Sequence, residues 1–195
     1  VCHPLVECLQ HQTFRGRGEL VEKVFSFDTE GKANSQKGIY RISNHFVHFY
    51  FRFLYPNRSA LALMSADEFY EKNIQFSFKN FAALYFNEIC KQRIEKWNQE
   101  EKLPIAIDRI GEWVGKSGNI DVVAQDENGK TLAACCNWEK SVMQYGDYEK
   151  LLSSMGKAKL KADTIYLFSI QRFDEKLSLE AKMKKNLKLI SLEDM

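Results

Sequence analysis

The stretch GNIDVVAQDENGKTLAACCNWEK, residues 118–140, decides how this chain folds. Apolar and polar residues alternate on either side of Asn128-Gly129, and an Asn-Gly pair between alternating runs is a strong β-hairpin signal. The first strand carries one acid, Asp121. The second ends in Cys135-Cys136-Asn137-Trp138, a tail of two thiols, an amide and an indole. The pattern raises the question of whether a catalytic site is built here or once was.

Just upstream, Pro104 breaks the chain and PIAIDRIGEWVG supplies a further strand, so three strands follow one another up to Trp138. Downstream the apolar period changes from two to three or four. SVMQYGDYEKLLSSMGKAK reads as a helix, TIYLFSI as a short apolar strand, FDEKLSLEAKMKKN as a helix and LKLISL as a closing strand. Apolar strands joined through helices predict parallel pairing by right-handed crossovers. A long helix over 76–98 comes before the three strands. Its expected apolar face is Phe81, Leu84, Tyr85, Ile89 and Ile94, with Lys91, Arg93 and Lys96 toward the end where the helix dipole favours cations. The fold class is α/β (α+β), a mixed β-sheet flanked by helices.

Further upstream, residues 1–44 begin with a short amphipathic helix, Pro4 to Gln10. Leu20, Val24, Phe25 and Phe27, then Ile39, Tyr40 and Ile42, recur at strand spacing around a Gly/Asn/Ser-rich turn. A winged-helix module ends in this way, and so does any helix and hairpin packed on a larger domain. Residues 45–75 form an aromatic-rich helical connector, in which Phe46, Phe49, Tyr50, Phe53 and Leu54 predict a buried helix stopping at Pro56. Aromatics interleaved with arginine also stack on bases, but FYFRF is apolar enough to predict core. His45 and His48 read as packing or surface residues, because third and fourth metal-ligand partners are absent from the sequence around them.

The chain has 195 residues, 45% of them hydrophobic and 28% charged, enough to bury a real core. A net charge of +2 is too mild for nucleic-acid binding by bulk electrostatics and leaves room for a local basic patch. Five cysteines without a C-x-x-C pair indicate neither a disulfide framework nor a zinc site, so a cytoplasmic location is expected. Neither a signal peptide nor a run of about 18 apolar residues is found, and no membrane is expected as partner. The opening VCHPLVECL already lies within a helical pattern, and we expect a piece of a longer protein.

Several separated segments resemble one family. KGIYRISNHFVHFYFRFLYPNRS, FNEIC, RIGEWVGKSGNIDVVAQDENG, NWEK and IYLFSIQRFDEKL, ending in LKLISLEDM, look like the C-terminal region of the archaeal-type ATPases. Those prokaryotic proteins have an N-terminal P-loop ATPase domain, a winged helix and a terminal domain of the restriction-endonuclease-like, PD-(D/E)xK, fold. The resemblance runs from about residue 5 to the end. It implies that residues 1–44 are the C-terminal part of a winged-helix-like module and 76–195 a nuclease-like domain. Their partner would be an N-terminal ATPase domain outside this chain, and ATP would bind there. GEWVGKS has three residues between its glycines and is not a phosphate-cradling P-loop.

A nuclease of this kind places an acid on one strand and a second acid on the next, which together hold Mg²⁺. A lysine follows two residues after the second acid, on the same strand face. The family's strand acid is present as Asp121. Where its next strand ends in Gly-Glu-Cys-Lys-Trp, this chain has Ala134-Cys135-Cys136-Asn137-Trp138, with cysteine for glutamate and asparagine for lysine. The family's helix acid falls at Asn87, with Glu88 adjacent on a different face. One carboxylate holds Mg²⁺ poorly and asparagine carries no charge. The resemblance therefore implies a vestigial site of Asp121, Cys135, Asn137, Asn87 and Glu88, with Mg²⁺ only if it is active. Cys135 as a soft metal ligand, or paired with Cys136 in redox chemistry, competes with a small buried hydrophobe; strand neighbours point to opposite faces, which favours the last.

Three functions follow as expectations. In the first, the chain is an inactive nuclease-like module that contacts double-stranded DNA or a partner protein. Arg15, Arg17, Lys23, Lys32 and Lys37 would face phosphates, or are ordinary solvated charge. In the second, a nuclease works from a displaced site, using Asp121 with Glu88, Asp108 or Glu112 and a lysine such as Lys140 or Lys116. The third is a structural dimerisation domain, a homo-oligomer.

Overall fold

The computed structural model describes residues 20–29, 38–138 and 141–195. The helix expected at Pro4 to Gln10 lies outside them. Two compact units divide the chain, Val1–Phe25 with Thr29–Lys79 and Ser26–Asp28 with Asn80–Met195.

In the first unit β1 (Val21–Phe25) and β2 (Gly38–Ile42) pair antiparallel, Val21 opposite Ile42 and Val24 opposite Ile39, as the alternating residues predict. α1 (His45–Phe49) is capped by Asn44, whose side-chain oxygen accepts from the Val47 N–H at 3.0 Å. The helical path does not stop at Pro56. A π-helical turn, Tyr50–Leu54, and a 3-10 turn, Tyr55–Asn57, carry it into α2 (Arg58–Leu63). Proline is tolerated in the first turn of a helical segment because that N–H needs no partner, and Pro56 sits in the first turn of the 3-10 piece. Nor is the segment buried throughout: Phe53 is, whereas Phe46, Tyr50 and Tyr55 are exposed. α3 (Ala66–Asn73) opens on a capping box between Ser65 and Glu68.

The second unit takes most of α4 (Gln75–Gln99). There follow β3 (Arg109–Gly115), β4 (Gly118–Gln125), β5 (Thr131–Asn137), β6 (Val142–Met143), α5 (Tyr145–Ala158), β7 (Thr164–Ser169), β8 (Arg172–Phe173), α6 (Glu175–Met183) and β9 (Leu187–Ser191). The main sheet has the order β3-β4-β5-β7-β9, antiparallel from β3 to β5 and parallel from β5 to β9. The mixed sheet flanked by helices is thus as the sequence predicts. The two-residue strands β6 and β8, which pair parallel, have too short a pattern to be read.

Both faces of the sheet are covered, which is why TIYLFS is buried at every position. Ile165 and Leu167 join Tyr148, Leu151, Met155 and Leu177 of α5 and α6 on one face. Tyr166 and Phe168 join Phe86, Cys90 and Ile94 of α4 on the other. The face of α4 read from sequence is corrected here. Phe81 and Ile94 are buried, but Leu84 and Ile89 are exposed, and Phe86 and Cys90 take their place. Apolar and polar residues are mixed around α4 rather than segregated to one side, so spacing alone did not select the buried stripe. GEWVGKS lies in the β3–β4 hairpin, with Gly115 opposite Gly118. At the Asn-Gly pair, Gly129 adopts φ +81°, the conformation that glycine enters without a Cβ penalty.

Candidate functional site

β4 does not run evenly beside β3. Gly111 pairs with Val123 but Trp113 with Ile120, so Asp121 and Val122 together face Glu112. This is a β-bulge, which re-aims the side chains at its position. On the other side, pairing of β4 with β5 ends at Val122 opposite Ala134, while β5 stays paired with β7 as far as Asn137 opposite Ser169. β4 and β5 therefore part, and Cys135 to Asn137 continue without β4 as a ladder partner.

Asp121 fills the fork. Its Oδ2 accepts from the Cys136 backbone N–H at 2.8 Å, in place of a ladder carbonyl, and its Oδ1 accepts from Asn87 Nδ2 at 3.1 Å. Burial raises the carboxyl above its ordinary pKa, and donation from the Cys136 N–H, the Cys135 thiol and Asn87 only partly opposes this; the charge of Glu112 pushes the same way as burial. Trp138 lays its ring on Phe86, centroids 5.3 Å apart.

The two thiols at the end of β5 are held in their protonated form. Burial, and then the charges of Asp121 and Asp147, hold the Cys135 thiol far above the usual thiol range. Burial and a hydrogen bond with Cys90 do the same for Cys136. Cys135 packs against one core and Cys136 against the other, so the pair points to opposite faces. A thiol held protonated is a poor nucleophile and a poor metal ligand, which favours the buried-hydrophobe reading of these residues.

The fold brings Asn87, Asp121 and Cys135 together and sets Asn137 at the end of β5. Glu88 is turned to its own helix, where its carboxylate accepts from Gln92 at 3.3 Å. Glu112 faces the bulge. Asp108 is exposed beyond β3, its N–H donating to the Gln125 carbonyl at the far end of β4, and Lys116 is exposed in the β3–β4 turn. Lys23 lies over the rings of Phe25 and Tyr40, at 5.1 and 5.6 Å. Arg15, Arg17, Lys32, Lys37 and Lys140 lie outside the described residues. Cys90 was missed, although three-residue spacing puts it on the same face of α4 as Asn87. Among the described residues, no group of three or more His, Cys, Asp or Glu is arranged to hold a metal ion.

Residues 50–151 match the family model DUF234, described as archaeal and bacterial proteins of unknown function. The chain belongs to this family. The matched segment takes in α4, the bulge and the whole fork, so the DUF234 region includes every residue of the candidate site. An uncharacterized protein of Methanocaldococcus jannaschii is 27% identical across 71% of this chain and 36% of its own length. The chain thus spans about a third of that relative. No solved structure matches. No helix among the described residues is long and apolar enough to cross a membrane.

Proposed function

We propose that this chain is a nuclease-like module that binds without cleaving, contacting DNA or a partner protein on behalf of a larger prokaryotic ATPase. The helix, three strands, helix, strand order supports a restriction-endonuclease-like domain, and the first unit's hairpin supports the end of a winged helix. The prokaryotic family and a relative of which only 36% is matched are in keeping with further domains, where ATP would bind.

One observation carries the non-cleaving part: both oxygens of Asp121 already accept hydrogen bonds, from Asn87 and from the Cys136 N–H. Mg²⁺ requires several oxygen ligands in near-octahedral geometry. Around Asp121 the fork offers an amide nitrogen, a backbone N–H and protonated thiols, with Glu112 across the bulge the one further carboxylate. These residues do not fit the ion. The displaced-site alternative is weaker, because only Glu112 of its three acids lies beside Asp121 while Glu88 and Asp108 are directed elsewhere.

The test is fluorescence anisotropy of a labelled duplex of about 30 base pairs at two salt concentrations, with and without Mg²⁺. Binding that weakens steeply with salt, with the duplex intact, supports the module. Mg²⁺-dependent cleavage abolished by Asp121→Ala would overturn it. Absence of duplex binding together with a tight dimer in light scattering would favour the structural dimerisation domain.

A further inference from the structure

We propose that the helical run from Phe46 to Arg58 in the first unit is a stacking platform for single-stranded nucleic acid. It rests on the nucleic-acid side of the function proposed above but on a different part of the chain. FYFRF predicts core, yet Phe46 is 71% exposed, Tyr50 36% and Tyr55 43%. Large aromatic rings left in water on a segment that also buries Phe53 are surface to be covered.

The π-helical turn brings the rings together. It is closed by the Tyr55 N–H donating to the Tyr50 carbonyl, a bond across five residues. Such a turn carries residues five apart toward one side, where an α-helix would separate them. The Tyr50 and Tyr55 centroids are 6.2 Å apart, and Phe51 bridges them at 5.3 and 5.4 Å. Phe46 lies four residues before Tyr50, on the same face of the helical path. The Arg58 guanidinium caps the series 4.5 Å over the Tyr55 ring, and Arg52 is exposed within it.

Charge selects the occupant. From Gly31 to Ala66 the sequence contains no Asp or Glu, and five cations, Lys32, Lys37, Arg41, Arg52 and Arg58. Exposed rings with arginines and no neighbouring acids in sequence suit a partner with flat apolar faces strung on an anionic backbone. That is the composition of an unpaired nucleic-acid strand, whose bases stack on aromatics while its phosphates meet arginine. A duplex hides its base faces and would use only the charges.

The experiment is anisotropy of the full chain with a labelled oligothymidine of about 20 nucleotides and with a duplex of equal length, at two salt concentrations. The single strand is expected to bind at least about tenfold tighter than the duplex. Tyr50→Ala and Tyr55→Ala should each weaken single-strand binding about tenfold, Tyr55→Phe should retain it, and Arg58→Ala should lower the salt slope by about one. Circular dichroism of each variant separates a lost ring from a lost fold. Single-strand binding no tighter than duplex binding, or unchanged in both alanine variants, overturns the platform and leaves the DNA-binding module standing. Binding of neither nucleic acid overturns both, as does sedimentation with phosphatidylserine vesicles in the absence of oligonucleotide binding.

Discussion

Asn87 of α4 and Asp121 of β4, thirty-four residues apart, are joined by a 3.1 Å hydrogen bond that seats a buried carboxyl where two strands diverge. The same carboxyl completes the backbone bonding of β5 through Cys136. Asp121 is therefore a structural element of the fork.

Replacement of Asp121 should separate these roles. Asp121→Asn keeps an oxygen for the Cys136 N–H, and a turn of the Asn87 amide satisfies the new NH₂. Asp121→Ala leaves that buried N–H without an acceptor and should be less stable than the asparagine variant by about 1–3 kcal/mol in urea denaturation. The two variants unfolding at the same urea midpoint would show that the bond carries nothing.

The pH dependence follows from the raised Asp121 pKa. Between the unfolded pKa near 3.8 and the higher folded value, the native state holds more protons than the unfolded one, so stability falls as pH rises through that window. Urea melts from acid to neutral pH should show the wild type losing stability relative to Asp121→Asn. The opposite slope would mean that the hydrogen bonds outweigh burial.

Thiol labelling tests how far the fold shields these sulfur atoms. In the native chain, peptide mapping after iodoacetamide treatment should show Cys90, Cys135 and Cys136 reacting at least about tenfold more slowly than free cysteine. Denaturant should abolish the difference. Rapid native labelling of Cys135 would return it to the list of candidate nucleophiles.

Asp174 ties two helices together. Its Oδ1 accepts from the Leu177 N–H at 2.6 Å, capping α6, and its Oδ2 from the Tyr145 N–H at 2.7 Å, at the start of α5. Asp174→Ala removes both acceptors and should cost roughly 2–3 kcal/mol, with Asp174→Asn in between. Thermal or urea unfolding measures it, and a loss of a few tenths would rule out the double cap.

Two glycines should respond oppositely to alanine. A Cβ on Gly115 would lie 2.2 Å from the buried Trp113 ring, two residues away on the same strand face. Gly115→Ala should cost about 1–3 kcal/mol through displacement of that ring. Gly146 in α5 has nothing within 4 Å of such a Cβ, and alanine there should stabilise by up to about 1 kcal/mol. Equal urea midpoints for the two variants would contradict both packings.

Local pattern was enough to place β3, β4, β5, α5, β7, α6 and β9 and to mark Asp121 as the single acid on the two strands of the central hairpin, because backbone geometry imprints periods of two and of three to four on buried residues over short stretches. Tertiary structure alone decided the rest. The bulge at Asp121, the end of β4–β5 pairing at Ala134 and the meeting with Asn87 depend on register and on contacts far apart in sequence. The buried stripe of α4 was undecided locally because its apolar residues are spread among polar ones around the helix, and only the sheet chose Phe86 and Cys90. The passage of the chain through Pro56 runs by a π-helical turn and a 3-10 turn, departures from the roughly 3.6-residue repeat that the spacing of the aromatics does not show.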